Sequence, residues 1–179
     1  MNVLVVFRPL ALVVALALPA SSVAQPPETQ PAEAAPADTL PHLIRLDGNG
    51  AQVVRDGAAT PLEQGDPVFY GDRLELGQAY GQVLWGDGSR VSLDRGAALE
   101  ALSVDLIALT DGRALVSRPA ATTMPLRVDT PAASVDLAPG GEYRFSLDGG
   151  VTSLVVTRGR AEVQTGMGHQ IVGAGSQVA

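Results

Sequence analysis

"LRVDTPAASVDLAPGGEYRF", residues Leu126–Phe145, contains three short stretches in which apolar and polar residues alternate. Thr130-Pro131 separates the first stretch from the second, and Gly140-Gly141 separates the second from the third. Alternation with a period of two is typical of β-strands that bury one face and expose the other. Proline lacks an N–H and glycine suits tight turns, so both residues fit at strand ends. The segment therefore predicts three strands joined by a bend and a turn.

The same signals continue from His42 to the end of the sequence. Aspartate tolerates positive φ and glycine adopts it readily, so five Asp-Gly pairs are expected to form hairpin turns: Asp47-Gly48, Asp56-Gly57, Asp87-Gly88, Asp111-Gly112 and Asp148-Gly149. The alternation predicts strands at about Leu43–Asp47, Gln52–Arg55, Asp72–Leu76, Gly81–Trp85, Arg90–Asp94, Leu99–Leu102, Leu106–Thr110, Arg113–Ser117, Leu126–Asp129, Ala133–Leu137, Glu142–Leu147, Ser153–Thr157, Ala161–Gln164 and Gln170–Val172. Many short strands with closely spaced turns indicate an all-β fold, either an antiparallel β-sandwich or β-roll, or a short solenoid.

Residues 1–24 have the pattern of a secretory signal peptide. Leu10–Ala20 is an apolar run of suitable length, and Ser22 and Ala24 are the small residues expected before a cleavage site. We predict cleavage between Ala24 and Gln25, which would make the protein periplasmic or secreted. The alternative is a retained N-terminal membrane anchor, but the apolar stretch is interrupted by Arg8 and is short of the roughly 20 residues that cross a bilayer.

The remaining sequence divides into three parts. Residues 25–41, "QPPETQPAEAAPADTLP", are rich in proline and alanine and are expected to form a disordered linker, because they have almost no large apolar side chain to bury. Residues 42–70 are expected to form a β-segment that precedes the main domain and packs on it. Residues 71–179 are expected to form the main β-domain.

The composition excludes several classes of function. The 179-residue chain has no cysteine, so it contains no disulfide, thiolate metal site or cysteine nucleophile. Its 12 basic residues, all arginine, face 19 acidic residues, for a net charge of −7. Removal of a signal peptide that contains Arg8 would leave a charge of about −8. This charge argues against binding to nucleic acid or to an anionic membrane surface.

No combination of residues predicts catalysis or metal binding. The only histidines, His42 and His169, lie far apart in the sequence, and neither accompanies a nucleophile motif. "DGNGAQ", residues 47–52, begins like a calcium loop but has Ala51 where an oxygen ligand is required. We therefore predict no catalytic, cofactor-binding or metal-binding residue and no cofactor. Trp85 is expected to close the core, and Asp129 and Thr130 are expected to hold the bend by local hydrogen bonds.

Four stretches together resemble the FecR domain. "GDRLELGQAYGQVLWGDGSRVSLDRGAALEAL" (71–102) is similar to its opening strands, and "LIALTDGRALV" (106–116) is similar to its central hairpin. "LRVDTPAASVDLAPGGEYRF" resembles its most distinctive segment, although Gly140-Gly141-Glu142 stands where the family usually has Arg-Gly-Thr. "VTSLVVTRGRAEV" and "IVGAGSQV" resemble its closing pair. The order of segments also resembles that of poorly characterised exported proteins, often proline-rich, that open with a FecR-like domain preceded by a short β-segment. This resemblance implies that residues 43–62 form an extra strand pair.

The resemblance implies a protein that regulates rather than catalyses. FecR proteins are anti-sigma regulators of iron-siderophore uptake, and the domain has no known catalytic residues. In this sequence an export signal and a linker stand where those regulators have a cytoplasmic sigma-binding segment. Our first hypothesis is an exported, non-enzymatic β-domain that binds a protein or other envelope component or acts as a scaffold. The alternatives are a periplasmic signal-relay component and, with least support, an enzyme whose site lies on loops.

Overall fold

The computed structural model describes residues 40–179 and shows an all-β protein over this range. The predicted signal peptide and nearly all of the predicted linker lie outside the described residues. Within that range, the chain contains no helix long and apolar enough to span a membrane. Fifteen strands are present: β1 (His42–Asp47), β2 (Gln52–Arg55), β3 (Ala58–Pro61), β4 (Arg73–Glu75), β5 (Tyr80–Leu84), β6 (Arg90–Leu93), β7 (Ala98–Ser103), β8 (Leu106–Ser117), β9 (Arg127–Asp129), β10 (Ser134–Leu137), β11 (Glu142–Asp148), β12 (Val151–Arg158), β13 (Arg160–Thr165), β14 (Gly168–Gly173) and β15 (Ser176–Val178).

The long strand β8 joins two sheets into one hydrogen-bonded network. Sheet A has the order β1-β5-β6-β8-β11-β12-β15, and sheet B has the order β14-β13-β10-β9-β8-β7-β4-β2-β3. Residues 106–111 of β8 pair within sheet B, whereas 112–117 pair within sheet A. Every pair of strands is antiparallel except β8 and β9, which are parallel. The chain passes back and forth between the sheets as in a β-roll, and the all-β prediction is confirmed.

Both sheets contribute to a single apolar core. Val83, Val91 and Phe145 from sheet A and Leu99 and Val135 from sheet B belong to the same cluster of buried side chains. These residues alternate along their strands with exposed or half-buried ones, as the period of two requires. Removal of this apolar surface from water is the main stabilising contribution in a domain without disulfides.

The segment Leu126–Phe145 folds as the sequence predicts. It forms β9, β10 and the start of β11, and the turn at Gly140-Gly141 carries the chain from sheet B to sheet A. Gly141 also has a packing role, because a Cβ atom there would lie 2.0 Å from the hydroxyl oxygen of Tyr143. That buried hydroxyl lies 2.7 Å from the Ala138 carbonyl oxygen and 2.9 Å from the Arg160 carbonyl oxygen. Gly141 therefore leaves room for the tyrosine beneath the turn.

The Asp-Gly predictions are only partly correct. Asp56-Gly57, Asp87-Gly88 and Asp148-Gly149 do connect hairpin strands, whereas Asp47-Gly48 links β1 to β2 in the other sheet. Asp111-Gly112 lies within β8, so the turn and hairpin predicted there are wrong. The glycine is needed for another reason, since its φ is +76° and a Cβ would lie 2.6 Å from the Cα of Ala97.

Two strands have no counterpart in the prediction. β3 has four exposed residues and ends in a proline, so its sequence shows no alternation of buried and exposed positions. β15 has only three residues. With β3, residues 43–62 contain three strands rather than one extra pair; β1 pairs with β5, and β2 pairs with β4. The stretch Leu99–Leu102, which is rich in good helix formers, lies within β7.

Candidate functional site

The outer face of sheet A contains the most distinctive surface feature of the described residues. Two adjoining depressions of about 260 and 300 Å³ share Tyr80, Ser92 and Leu93. We call their combined lining the Tyr80 cleft: Arg45, Asp47, Tyr80, Gly81, Gln82, Ser92, Leu93, Asp94, Arg113, Ala114, Leu115 and Arg144. Tyr80 lines both depressions and is 44% exposed. Such a shallow, open site suits a protein segment better than an enclosed small molecule.

Strand register brings these distant residues together. Gln82 pairs with Ser92, Ser92 with Leu115, and Leu115 with Arg144, across β5, β6, β8 and β11. Partner positions in adjacent strands share a face of the sheet, so these four side chains form one row. The residues next in sequence, such as Val91, are buried in the core. The same alternation that builds the core therefore builds the cleft.

The cleft has more positive than negative charge. The Nε atom of Arg45 lies 2.5 Å from the Asp47 carboxylate, and the Nε atom of Arg113 lies 3.8 Å from Asp94. The Arg144 guanidinium is exposed and has no ion pair or hydrogen bond with any described residue. The adjacent Arg95 guanidinium lies over the Tyr80 ring, 4.7 Å from its centroid, in a cation–π contact. A chain with a net charge of −7 thus has a local cationic surface around an exposed aromatic ring.

A second exposed aromatic pair, Phe69 and Tyr70, lies in the loop between β3 and β4. The Arg55 guanidinium lies 4.4 Å from the centroid of the Phe69 ring and makes two 2.7 Å hydrogen bonds to Asp72. Burial opposes the charge of Asp72, but hydrogen bonds from Arg55 and from the Phe69 N–H, together with the Arg55 charge, lower its pKa below the ordinary value. Burial and the Asp105 charge raise the pKa of Tyr70. These contacts hold the loop in place and leave the two aromatic rings partly in water.

A buried ion pair joins the β5–β6 turn to the segment after β8. The side chains of Arg118 and Asp87 are 0% and 2% exposed, and Arg118 Nη2 lies 3.1 Å from Asp87 Oδ2. The Arg118 guanidinium also donates to the carbonyl oxygens of Leu137 and Met124. Asp87 in turn accepts a hydrogen bond from the Ser89 hydroxyl. A charged group with no access to solvent cannot meet a substrate, so this network is structural.

The histidines and the calcium-like stretch show no catalytic or ligating arrangement. His42 lies in β1 of sheet A, and His169 lies in β14 of sheet B, 3.5 Å from the Glu162 carboxylate. Ala51 is part of the core. Residues 40–179 contain no group of three or more histidine, cysteine or acidic side chains placed to hold a metal ion. Trp85 is 1% exposed and donates from its indole nitrogen to a backbone carbonyl, which confirms that it closes the core.

The Thr130 side chain bonds directly across the bend after β9. Its hydroxyl accepts from the N–H of Ala133 and lies 2.9 Å from the carbonyl oxygen of the same residue. Asp129 accepts a 2.7 Å hydrogen bond from Arg127, two residues earlier on the same strand. The prediction for Thr130 is confirmed. Asp129 makes a local hydrogen bond but reaches the bend only through Arg127, whose guanidinium also donates to the Ser134 hydroxyl on the far side of the bend.

Comparison with known proteins identifies one family and two similar structures. The model of the family described as FecR protein matches residues 72–162, which include Tyr80, Arg113 and Arg144. Two crystal structures of candidate anti-sigma factors from Parabacteroides distasonis ATCC 8503 are also similar. The one at 2.50 Å has 21% identity and a TM-score of 0.50, and covers 59% of this chain and 52% of its own. The one at 1.65 Å has 19% identity and a TM-score of 0.48, and covers 62% and 51%.

The two similar structures are matched over only part of their length. The chain spans about half the length of the two solved structures, and at 21% identity the first one supports the fold alone. No curated protein matches the chain. The sequence reasoning found neither the cleft nor its charge, although Tyr80 and Arg144 both lie at outward positions of alternating strands.

Proposed function

Because the chain belongs to the FecR protein family, we propose that it is a non-enzymatic component of a signal relay in the bacterial envelope and that it acts by binding another protein. The observation that carries this proposal is the family match over residues 72–162, which contains most of the Tyr80 cleft. The similar Parabacteroides distasonis structure supports the shared fold. The proposal places the chain outside the cytoplasm, in accord with the predicted signal peptide.

A relay component has better support than the scaffold that the sequence first suggested. A passive scaffold needs only a stable fold, and the buried residues supply that. The outer row of sheet A adds an exposed tyrosine and an arginine, Arg144, that has no ion pair with a described residue. Exposed aromatic and arginine side chains are the types that contribute most to protein–protein binding. The proposal therefore assigns partner binding to the Tyr80 cleft.

The relay is tested by transcription. A neighbouring sigma-factor gene and a gene for a TonB-dependent receptor are expected, and the promoter that depends on that sigma factor provides the readout. Deletion of the gene that encodes this chain is expected to change the promoter's response to inducer, and expression of the wild-type gene is expected to restore it. An unchanged response in the deletion strain would refute the relay.

Two matched arginine variants locate the surface that the relay uses. Arg144→Gln removes a charge from the Tyr80 cleft, and Arg160→Gln removes one from an exposed position of β13 in sheet B. Neither side chain has an ion pair with a described residue, so neither change is expected to alter stability by more than about 0.5 kcal/mol. We expect only Arg144→Gln to weaken complementation. Equal complementation by both variants would remove the cleft from the proposal.

A further inference from the structure

We infer that β14, the outermost strand of sheet B, is a docking edge for the β14 strand of a second copy of this chain. One edge of β14 pairs with β13, and the other edge pairs with no strand of residues 40–179. The two copies join antiparallel about a two-fold axis and form one continuous sheet. The inference does not rest on the proposed function, because the Tyr80 cleft lies on sheet A.

The open edge of β14 presents backbone hydrogen-bonding groups. The N–H of Ala138 donates to the carbonyl oxygen of Arg160, so the backbone groups of Arg160 point toward β10. Backbone groups alternate in direction along an antiparallel strand, so those of Glu162 also point toward β10. Ile171 is the partner of Glu162 in β14, and its N–H and carbonyl oxygen therefore point away from β13. The residues two before and two after Ile171 in β14 have the same orientation.

One register of self-pairing uses all of these groups. It places Ile171 opposite Ile171 of the partner subunit, and His169 opposite Gly173 of the partner subunit. Each such pair exchanges two backbone hydrogen bonds, so the whole contact contains about six. The two Ile171 side chains, each 55% exposed in the single chain, cover one another, and the glycine leaves room for the imidazole. No like charges meet, because β14 contains no acidic residue, arginine or lysine.

The other three edges of the two sheets are protected against such pairing. Strand β1 carries Arg45 and Asp47, and the loop before β4 covers its backbone with hydrogen bonds such as that from the Leu43 N–H to the Asp66 carbonyl oxygen. Strand β3 has four residues and ends in Pro61, and β15 has only three residues. Charge, proline, short length and a covering loop are usual means of preventing edge-to-edge pairing. The six residues of β14 have neither charge nor proline, which is the composition of an edge that pairs.

Amide hydrogen exchange of the full-length chain, followed by NMR, tests the pairing directly. The N–H groups of His169 and Ile171 point to the open edge, whereas those of Gln170 and Val172 point toward β13. A six-residue strand forms a small interface, so we expect a weak dimer with a Kd between about 1 µM and 1 mM. Raising the chain concentration from about 10 µM to about 1 mM should then slow exchange at Ile171 at least about twofold and leave that at Gln170 unchanged.

Matched lysine variants test the two-fold arrangement by sedimentation equilibrium. Ile171→Lys places two lysines opposite each other and is expected to raise the Kd at least about tenfold. Val151→Lys is the control, because Val151 is 56% exposed on β12 of sheet A and is expected to leave the Kd unchanged. A mixture of Ile171→Lys and Ile171→Glu chains is expected to dimerise again, because opposite charges then face each other.

Three results would overturn the inference: a wild-type monomer at about 1 mM, equal slowing of exchange at Ile171 and Gln170, or a dimer that Ile171→Lys leaves intact. The first result would favour an extended segment of a different protein as the occupant of the edge. Neither measurement involves transcription or the Tyr80 cleft, so their failure is distinct from failure of the proposed function.

Discussion

The substitution Arg118→Met tests the buried ion pair, because it removes one of two charged groups that have no access to water. Asp87 would be left 2% exposed without its cation, and the carbonyl oxygens of Leu137 and Met124 would each lose a donor. Removal of one member of a buried pair costs about 3–5 kcal/mol. The free energy of unfolding of a domain of this kind is about 5–15 kcal/mol, so we expect the variant to fold with much reduced stability.

Trp85 makes this loss measurable. It is the only tryptophan of the chain, lies in the core, and is two residues from Asp87. Its fluorescence during urea unfolding gives the free energy of unfolding of each variant by linear extrapolation. Urea is the suitable denaturant because it is uncharged and does not screen the ion pair.

The control is Arg45→Met, the same substitution in an exposed pair. Arg45 and Asp47 are 70% and 54% exposed, and exposed pairs contribute about 0–1 kcal/mol. The double variant Arg118→Met/Asp87→Asn should lose less stability than the sum of the losses of the two single variants, because both charges of the pair are removed together and no unpaired charge stays buried. A loss below about 1 kcal/mol for Arg118→Met, or one equal to that of Arg45→Met, would refute the assignment of a structural role.

Three further changes have expected outcomes in the same unfolding assay. Gly112→Ala should lower the free energy of unfolding by well over the roughly 1–2 kcal/mol typical of left-handed backbone, because the new Cβ would meet Ala97. Gly57→Ala is the control, since Gly57 has a similar φ but open space around it and should lose only about 1–2 kcal/mol. Equal losses would contradict the packing argument. The pKa of Asp72 is lowered in the folded state, so its favourable contribution to stability is present above the unfolded pKa near 4 and is lost as the pH falls through the folded value. Asp72→Asn should therefore be less stable than the wild type at neutral pH, and its stability should fall less when the pH is lowered. An unchanged dependence of stability on acid pH would contradict this reasoning. Tyr143→Phe removes a buried hydroxyl that contacts two carbonyl oxygens and should cost about 1 kcal/mol, and no loss would indicate that water replaces it.

The sequence predicts local structure well where burial follows a simple period. β9, β10 and β11 lie where the alternation in Leu126–Phe145 places them, because each buries alternate side chains in the core. Turn propensity gives the wrong prediction at Asp111-Gly112, because this turn-forming pair lies within a strand that continues from one sheet into the other. The reason for that glycine is its contact with Ala97, which exists only in the folded chain.

The cleft could not be predicted for a related reason. Ser92, Leu115 and Arg144 are far apart in the sequence and become neighbours only through the order β6-β8-β11 in sheet A. Alternation assigns each of them to an outer face, but it does not say which strands are adjacent. Strand order depends on how the chain passes between the sheets, and that is determined by the packing of the whole core.

Two arginines show how structural and functional charges are told apart in this domain. Arg118 is completely buried, and its guanidinium is used by Asp87 and two backbone carbonyls, so its removal damages the fold. Arg144 is exposed, pairs across the sheet with Leu115 and has no ion pair with a described residue, so it contributes little to folding. A charge that stability does not require, in the lining of a cleft that also contains an exposed aromatic ring, is the kind that binding explains. Comparison of Arg118→Met and Arg144→Gln in the unfolding and transcription assays therefore separates the two roles, because the first variant should fail through instability and the second through lost binding alone.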